Sequence, residues 1–220
     1  MPTEIEPQLL TFKGWTFRLA RDQVKPGRLL ILLHGWTGDE KSMWTLARNL
    51  RPSFTILAPR GPFPVPEGGY ALREVNPGSW GKATLEDFRP AVEALLAFVE
   101  DWTASAGIQA SQFDLMGFSQ GAAMTYAFAL LHPERVRRLV ALSGFIPENG
   151  EAWLVADKFS GKPVFVSHGR QDASIPVEQS RRAVALLKGA GAQVTYCESE
   201  GGHKVSQECL KAMERFLEEI

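Results

Sequence analysis

The sequence predicts an α/β protein in which a mostly parallel, twisted sheet carries helices on both faces. Short apolar runs typical of strands alternate along the chain with longer segments of helical periodicity, which favours parallel strands joined by helices. Residues 29–33 are apolar without interruption, as expected of a strand buried on both faces. The 220 residues contain no internal repeat or linker, so one domain over residues 1–220 is expected.

The predicted elements follow one another in a regular order. Residues 9–12 and 15–19 indicate an opening hairpin. Further strands are expected at residues 29–33, 54–58, 136–142, 163–167 and 194–196, and in an apolar run that begins at Phe113. Helices are expected from Asp39 to about residue 50 and over residues 85–102, 120–131, 177–187 and 205–217. Only about twenty residues separate the strands at 136–142 and 163–167, so no large cap domain is expected.

Residues 60–83 are a long connection rich in glycine and proline. The aromatic residues Phe63, Tyr70 and Trp80 within it argue against disorder. Structureless loops of this length are usually functional when they are ordered. We therefore expect this segment to contribute to a functional site.

Charge and composition exclude several classes of function. A formal net charge of −1 gives no electrostatic basis for binding nucleic acid or an anionic membrane. The N-terminus lacks the features of a signal peptide, and no apolar segment is long enough to span a bilayer. Cys197 and Cys209 do not make a disulfide framework, and we expect both to pack as small apolar side chains in a reducing compartment. These observations predict a cytoplasmic protein without stable membrane insertion.

The main functional signal is the Gly-Phe-Ser-Gln-Gly sequence at residues 117–121. An apolar run precedes it and an Ala-rich helical segment follows it, which is the context that a nucleophilic serine on a strained strand-to-helix turn requires. Gly117 and Gly121 are expected where crossing backbones leave no room for a Cβ atom. The alternative is a Gly-rich turn in which Ser119 is idle.

A nucleophilic serine needs a base that takes its proton, and the base needs a carboxylate that orients it. In chains with this kind of turn, the expected order along the sequence is serine, then acid, then histidine. Asp157 and Asp172 both follow Ser119. Asp172 comes just after the strand at residues 163–167, at the carboxyl end where functional groups gather in open α/β sheets. Asp157 precedes that strand. We therefore predict that Asp172 is the acid, the alternative being an aspartate that caps a loop.

The base is chosen among three histidines. His132 precedes Pro133 at the end of a helix and is expected at the surface. His168 ends a strand, but it lies only four residues from Asp172. His203 follows the last predicted strand in a Gly-Gly turn that can reach back to the serine. We predict that His203 is the base and keep a solvated histidine as the alternative.

Two backbone N–H groups are expected to bind the oxyanion. One belongs to Gln120, the residue after the serine, and the other to Trp36, in the loop after the strand at residues 29–33. Gly35 and Gly38 let that loop curl towards Ser119. The alternative is a simple strand-to-helix turn.

Five motifs occur in a characteristic order. They are Leu33-His34-Gly35, the segment at residues 117–124, the segment at residues 141–145, His168-Gly169-x-x-Asp172-x-x-Ile175-Pro176 and Gly202-His203. With them the chain resembles the α/β-hydrolase superfamily, specifically the phospholipase/carboxylesterase family that includes acyl-protein thioesterases. The resemblance covers nearly all of the chain from Leu29. It implies an α/β-hydrolase fold, a triad of Ser119, Asp172 and His203, and backbone oxyanion donors at Trp36 and Gln120.

The chain departs from the family's pattern in two places. Trp36-Thr37-Gly38 stands where the family usually has Leu-Gly-Asp or a similar sequence. A backbone donor does not depend on its side chain, but the indole of Trp36 can narrow the pocket. Ala122 replaces a glycine that is common in the family.

The expected activity is that of a serine carboxylesterase acting on small esters or thioesters with short to medium acyl chains. Apolar candidates for the acyl groove are Phe63, Val65, Trp80, Phe145 and Ile146, the alternative being plain packing. No cofactor or metal is expected, and the protein is expected to be a monomer or homodimer. Other possibilities are a lysophospholipase, an acyl-protein thioesterase, a related hydrolase or transferase acting on lactones, amides or peptides, and a non-catalytic binding protein on the same fold.

Overall fold

A computed structural model describes residues 6–21, 27–50, 54–75 and 82–219. The strands are β1 (Gln8–Phe12), β2 (Trp15–Ala20), β3 (Arg28–Leu33), β4 (Phe54–Pro59), β5 (Phe63–Pro64), β6 (Tyr70–Ala71), β7 (Phe113–Phe118), β8 (Val136–Leu142), β9 (Pro163–Gly169) and β10 (Gln193–Ser199). The helices are α1 (Trp44–Ala47), α2 (Leu85–Ser105), α3 (Gln120–Leu131), α4 (Ala156–Phe159), α5 (Val177–Gly189) and α6 (Gln207–Glu218). Short 3-10 turns occur at Arg48–Leu50, Pro133–Arg135 and Gly150–Trp153.

Eight strands form one sheet in the order β1-β2-β4-β3-β7-β8-β9-β10. The opening hairpin pairs antiparallel with itself and then with β4, and all the remaining neighbours are parallel. The parallel strands end at the same edge, so the loops that follow β3, β7, β9 and β10 meet there. The predicted fold is confirmed.

The sheet separates two apolar cores. In β3, Leu29, Ile31 and Leu33 face the core shared with α2, α3 and α5, whereas Leu30 and Leu32 face the core shared with α1 and α6. This alternation explains why the strand is apolar throughout, because each face of it is covered by helices.

Helix α2 begins where its sequence provides a capping box. The Thr84 hydroxyl accepts a hydrogen bond from the Asp87 N–H, and the Asp87 carboxylate accepts one from the Thr84 N–H. Two backbone donors that would otherwise lack partners are satisfied in this way. This cap fixes the start of the helix that covers the site described below.

Two local predictions were wrong. The helix expected from Asp39 to about residue 50 is only α1 followed by a 3-10 turn, because the Asp39 carboxylate accepts from the N–H groups of Lys41 and Ser42 and stabilises a separate turn first. The described part of the connection at residues 60–83 is not structureless, since β5 and β6 form a short antiparallel hairpin whose end pairs with Gly38.

The prediction for the two cysteines was also wrong. Cys197 in β10 and Cys209 in the first turn of α6 form a disulfide, with their Cα atoms 5.6 Å apart. Helix α6 packs across the last strands, and this brings together residues that are twelve positions apart in sequence. Because disulfides persist mainly in oxidising compartments, the cysteines no longer support the cytoplasmic location, which stays a prediction.

Two further features concern the surroundings of the sheet. Residues 143–162, which connect β8 to β9, hold only a 3-10 turn and α4, so the described ranges contain no large cap. None of the helices within those ranges is both long and apolar enough to cross a bilayer.

Candidate active site

Ser119 lies at the sharp turn between β7 and α3. Its φ of 56° and ψ of −117° are in a region that costs energy for a residue with a side chain. The Ser119 N–H donates to the Leu142 carbonyl at 2.9 Å, which ties the turn to β8. A Cβ on Gly117 would lie 2.1 Å from the Gly121 oxygen, and one on Gly121 would lie 2.0 Å from the Leu33 oxygen. The close approach of backbones predicted around this serine is confirmed.

A continuous chain of hydrogen bonds joins three loops at the carboxyl edge of the sheet. Ser119 Oγ is 2.9 Å from His203 Nε2, and His203 Nδ1 is 2.7 Å from Asp172 Oδ2. The three residues follow β7, β9 and β10, which are neighbours or near neighbours in the sheet. The structure therefore brings together the serine, acid and base that the sequence predicts.

The end of β9 and the turn that carries His203 are in close contact. The Gln171 N–H donates to the Gly201 carbonyl at 2.8 Å. A Cβ at Gly169 would lie 2.3 Å from the Gly202 oxygen, so only glycine lets the two backbones approach this closely. This contact holds the loop of His203 against the loop of Asp172.

Asp172 is held in place as a carboxylate. Burial opposes its ionisation, but hydrogen bonds from the Ile175 N–H, from His203 and from the Ser174 N–H outweigh burial and lower the pKa of Asp172. An ionised carboxylate only accepts hydrogen bonds, so the proton of the hydrogen bond between His203 and Asp172 lies on His203 Nδ1. Nε2 is then left to accept the hydroxyl proton of Ser119, as a general base must.

The rival residues lie elsewhere. His168 is buried, with Nε2 2.8 Å from the Ile175 carbonyl and 3.3 Å from Asp172 Oδ2, the oxygen that His203 contacts at 2.7 Å. Asp157 is exposed on α4. His132 is half-buried, with its Nε2 3.0 Å from Glu93.

His34 stabilises the loop that holds Trp36. It is buried, and its Nε2 accepts from the Gly61 N–H at 2.8 Å while Nδ1 lies 2.7 Å from the Gly35 carbonyl. This pattern needs a neutral ring that carries its proton on Nδ1. Desolvation lowers the pKa of His34, which favours that neutral form. The loop after β3 is thereby fixed to the loop after β4.

Trp36 and Gln120, the predicted oxyanion residues, line the same cavity as Ser119 and His203. Gln120 is the first residue of α3, where a backbone N–H has no acceptor within its own helix. Its side-chain Oε1 accepts from the Leu72 N–H at 2.9 Å, so the side chain is directed away from that N–H group and into the structure.

The cavity beside Ser119 has a volume of about 430 Å³. Its wall is mostly apolar. The residues that line it are Gly35, Trp36, Arg73, Val75, Phe88, Phe118, Ser119, Gln120, Phe145, Ser174, Ile175 and His203. A cavity of this size and character suits a small organic group with one reacting polar centre.

The predicted acyl-groove residues do not all reach this cavity. Phe145 lines it. Ile146 packs into the buried core instead, and Phe63 lies partly exposed at a second cavity, lined also by Trp15 and Leu72. Val65 is half-buried next to the tip of the β5–β6 hairpin. Trp80 lies outside the described residues.

The profile of the family described as Phospholipase/Carboxylesterase matches residues 16–220. The chain belongs to the phospholipase/carboxylesterase family. It is thus a member of an α/β-hydrolase family whose relatives carry the names of esterases and thioesterases.

Relatives of this family member differ in length and in name. Acyl-protein thioesterase 1 of Debaryomyces hansenii is 26% identical, with 89% of this chain and 93% of the relative covered. The structure of esterase PE8 superposes with a TM-score of 0.77 at 26% identity, covering 98% of each chain. The chain spans about half the length of the first plant relatives it matches, among them an Oryza sativa subsp. japonica protein named as a probable inactive carboxylesterase, 30% identical over 61% of this chain and 56% of the relative.

Sequence reasoning missed several residues that line the cavity of this family member. They are Arg73, Val75, Phe88, Phe118, Ser174 and Ile175. Phe118 and Ile175 lie beside predicted site residues, so their positions in the motifs could have indicated them. Arg73 and Phe88 carried no such signal, because α2 and the β5–β6 hairpin bring them to the site only in the folded chain.

Proposed function

We propose that this chain is a serine carboxylesterase that hydrolyses short- to medium-chain carboxylic esters through an acyl-enzyme on Ser119. The observation that carries the proposal is the unbroken hydrogen-bond path from Asp172 through His203 to Ser119, beside a cavity of about 430 Å³. Residues 1–220 would form one hydrolase domain. The substrate would be a small-molecule ester.

The first half of the reaction forms the acyl-enzyme. His203 Nε2 takes the Ser119 proton as Oγ attacks the ester carbonyl carbon, and Asp172 stabilises the imidazolium. The N–H groups of Trp36 and Gln120 bind the oxyanion of the tetrahedral intermediate; loss of one such donor typically costs on the order of 100-fold in rate. The intermediate collapses, the bond to the alcohol oxygen breaks, and His203 protonates the leaving alcohol.

The second half releases the acid. Water enters, His203 removes a proton from it, and the resulting hydroxide attacks the acyl carbon of the ester on Ser119. The same N–H groups bind the second oxyanion. Collapse returns the proton to Ser119 and frees the carboxylic acid, so the enzyme ends the cycle unchanged.

The cavity supports the preference for short to medium acyl chains. Three aromatic side chains, Phe88, Phe118 and Phe145, form much of its apolar wall, and its volume is that of a small ligand site. Burying each CH₂ group of an acyl chain there contributes about 0.8 kcal/mol until the cavity is full. Affinity should therefore rise over the first few carbons and then stop rising.

Rates on p-nitrophenyl esters of increasing acyl length test the proposal, with Ser119→Ala as the control. We expect the highest kcat/KM at short to medium chains and a loss of at least about 10³-fold in Ser119→Ala. Wild-type rates equal to those of the variant at every length would contradict the esterase proposal and favour a binding protein, whose ligand affinity Ser119→Ala would leave nearly intact.

An acyl-protein thioesterase or lysophospholipase is the second candidate. It is favoured by the Debaryomyces hansenii relative, which matches this chain over most of both lengths. The same triad attacks thioesters and oxoesters. A maximum of kcat/KM at long acyl chains, or faster turnover of an acyl thioester than of the oxoester with the same acyl group, would replace the carboxylesterase proposal with this one.

A further inference from the structure

Arg73 is a buried cation in the wall of the cavity that holds Ser119. It follows strand β6, and only 7% of its surface is exposed. Arginine is almost never this deeply buried unless it is paired. Neither the proposed reaction nor the triad uses this side chain, so its presence at the cavity needs a separate explanation.

Arg73 has few partners for a buried guanidinium. Nη1 donates to the Glu74 carbonyl at 2.8 Å, and the guanidinium lies 4.8 Å from the centre of the Phe88 ring. Nε is buried and has no hydrogen-bond partner among the described residues. No carboxylate within the described ranges comes within ion-pair distance of Arg73. Nη1 is thus the only engaged nitrogen of Arg73 among the described contacts, and the side chain has unused donors in the wall of the cavity.

The electrostatic surroundings do not compensate this charge fully. Desolvation lowers the pKa of Arg73, and the attraction of Asp87 only partly opposes that effect. The Asp87 carboxylate is itself engaged by Thr84 in the capping box of α2. A guanidinium stays protonated in proteins even so. An anion that entered the cavity would thus meet a charge with little else to bind it.

The cavity gives such an anion one direction of approach. Arg73 also borders a second cavity on its outer side, but Glu74, Glu86 and Asp87 line that cavity and would repel an anion. None of the described residues that line the cavity of Ser119 carries a carboxylate. An anionic group is therefore expected to reach Arg73 from the side of Ser119.

The acyl part of the ester is the part that would reach Arg73. A separate cavity borders His203 on the side of Thr37 and Lys204, and Arg73 does not line it. His203, which protonates the leaving alcohol, lines both cavities, but Ser119 lines the cavity of Arg73 and not the one next to Lys204. Because the acyl group is bonded to Ser119 in the acyl-enzyme, the acyl chain extends into the cavity of Arg73, and the alcohol leaves on the side of Lys204.

We propose that Arg73 makes this site selective for esters whose acyl chain ends in a carboxylate, so that monoesters of short dicarboxylic acids are its preferred substrates. The proposal rests on the esterase function proposed above and narrows its substrate class. The chain would lie along Phe88, Phe118 and Phe145, and its terminal carboxylate would accept hydrogen bonds from the guanidinium. Arginine suits this role because its planar fork can bind both oxygens of a carboxylate.

A matched pair of esters tests the proposal. Monoethyl glutarate and ethyl pentanoate have the same chain length and differ only in a terminal carboxylate or methyl group, and acid release at neutral pH measures both. We expect kcat/KM of wild type to be higher for the glutarate ester, by about 10- to 100-fold. Arg73→Met should reduce this ratio to about 1 or below, and Arg73→Lys should reduce it partly.

Arg89→Met is the control variant. Arg89 is half-buried on α2 and paired with Glu86, and it does not line the cavity of Ser119, so its replacement removes the same charge away from that cavity. The ratio of the two kcat/KM values should stay at the wild-type value in Arg89→Met. A wild-type ratio near 1, or an equal fall in Arg73→Met and Arg89→Met, would overturn the proposal.

Binding separates this proposal from the function on which it rests. Calorimetric titration of monoethyl glutarate and of ethyl pentanoate into Ser119→Ala does not depend on turnover. We expect monoethyl glutarate to bind more tightly than ethyl pentanoate, and Ser119→Ala/Arg73→Met to lose most of that difference. If wild type hydrolyses neither ester but monoethyl glutarate binds in this way, the esterase proposal fails and the carboxylate site stands. If monoethyl glutarate binds no better than ethyl pentanoate, the carboxylate site is refuted whatever the turnover.

Discussion

Buried carboxylates lie at both ends of the parallel sheet, and their surroundings shift their pKa values in opposite directions. Asp114, near the amino end of β7, is fully buried 3.4 Å from Arg28, and desolvation raises its pKa in spite of the nearby arginines. Asp172, beyond the carboxyl end of β9, is desolvated too, but hydrogen bonds from two backbone N–H groups and His203 lower its pKa. At Asp172 the hydrogen bonds outweigh the effect of burial on the pKa, whereas at Asp114 the nearby arginines do not.

The cations at the two ends also differ. At the amino end, Arg138 Nη1 donates to the Phe216 and Leu217 carbonyls at 2.6 and 3.0 Å, and Lys162 Nζ donates to two backbone carbonyls. They satisfy backbone groups at the end of α6 and around the start of β8, so they serve stability. At the carboxyl end, Arg73 lines a cavity, and only one backbone carbonyl among the described residues accepts from it. The cations at the amino end therefore stabilise the backbone, whereas Arg73 has donors left for the ligand that we propose.

The largest expected effect is a loss of activity caused by a substitution at the carboxyl end of the sheet. Asp172→Asn should lower kcat on the best p-nitrophenyl ester by about 10³- to 10⁴-fold, because an amide no longer holds the proton of His203 on Nδ1. Asp157→Asn is the control, since Asp157 is exposed on α4 and should leave kcat unchanged. A loss below about tenfold in Asp172→Asn would remove Asp172 from the catalytic groups.

Removing the disulfide tests how much this covalent bond near the carboxyl end of the sheet contributes to stability. Cys197 and Cys209 enclose the turn that carries His203. Replacing both by serine should lower the free energy of unfolding by about 2–4 kcal/mol, measured by urea denaturation. A reductant should shift wild type by a similar amount and the double variant not at all. Equal stability of wild type with and without reductant would mean that the bond does not stabilise the fold.

A smaller effect should come from the amino end, and it should appear in stability rather than in catalysis. Arg138→Met removes two charge-assisted hydrogen bonds to carbonyls of α6, and we expect unfolding to require about 2 kcal/mol less, with kcat unchanged. Arg137→Met removes the same charge from the neighbouring, half-buried position on β8 and should cost clearly less. A fall in kcat in Arg138→Met would contradict the division of roles between the two ends.

The smallest expected effect is the pH dependence of stability, and its sign should differ between the two carboxylates. Because the pKa of Asp114 is raised in the folded protein, ionising it as pH rises lowers the free energy of unfolding. Because the pKa of Asp172 is lowered, protonating it as pH falls lowers the free energy of unfolding. As pH rises above about 4, the stability advantage of wild type over Asp114→Asn should therefore shrink, and as pH falls below about 4, its advantage over Asp172→Asn should shrink. Urea denaturation from about pH 2.5 to about pH 7 measures both, and trends of the same sign with rising pH would contradict the account.

The carboxyl end could be predicted largely from sequence because its parts follow chain order. Ser119 is marked by the two glycines around it, and Asp172 and His203 each come directly after a recognisable strand. In a parallel sheet, the residues that follow the strands meet at one edge. Local patterns were therefore enough to choose His203 over His168, and the structure brings the chosen residues together.

What could not be predicted depends on packing between distant segments. An arginine in a Gly- and Pro-rich loop is normally exposed, but Arg73 is buried, with its guanidinium 4.8 Å from the centre of the Phe88 ring of the distant helix α2. The pairing of Cys197 with Cys209 depends on how α6 lies across the sheet. Ile146 is apolar and close to Phe145, yet the turn after β8 directs it into the core. These contacts and side-chain directions cannot be predicted from the amino-acid composition of the segments involved.

Covalent labelling of Ser119 tests the central claim most directly. Diethyl p-nitrophenyl phosphate should phosphorylate an activated serine, releasing one nitrophenolate per chain and leaving an adduct that water removes slowly. The account predicts that peptide mass spectrometry places this adduct on Ser119 and that His203→Gln reacts far more slowly. An adduct on another residue, or no burst of nitrophenolate from wild type, would contradict the assignment of Ser119 as the nucleophile.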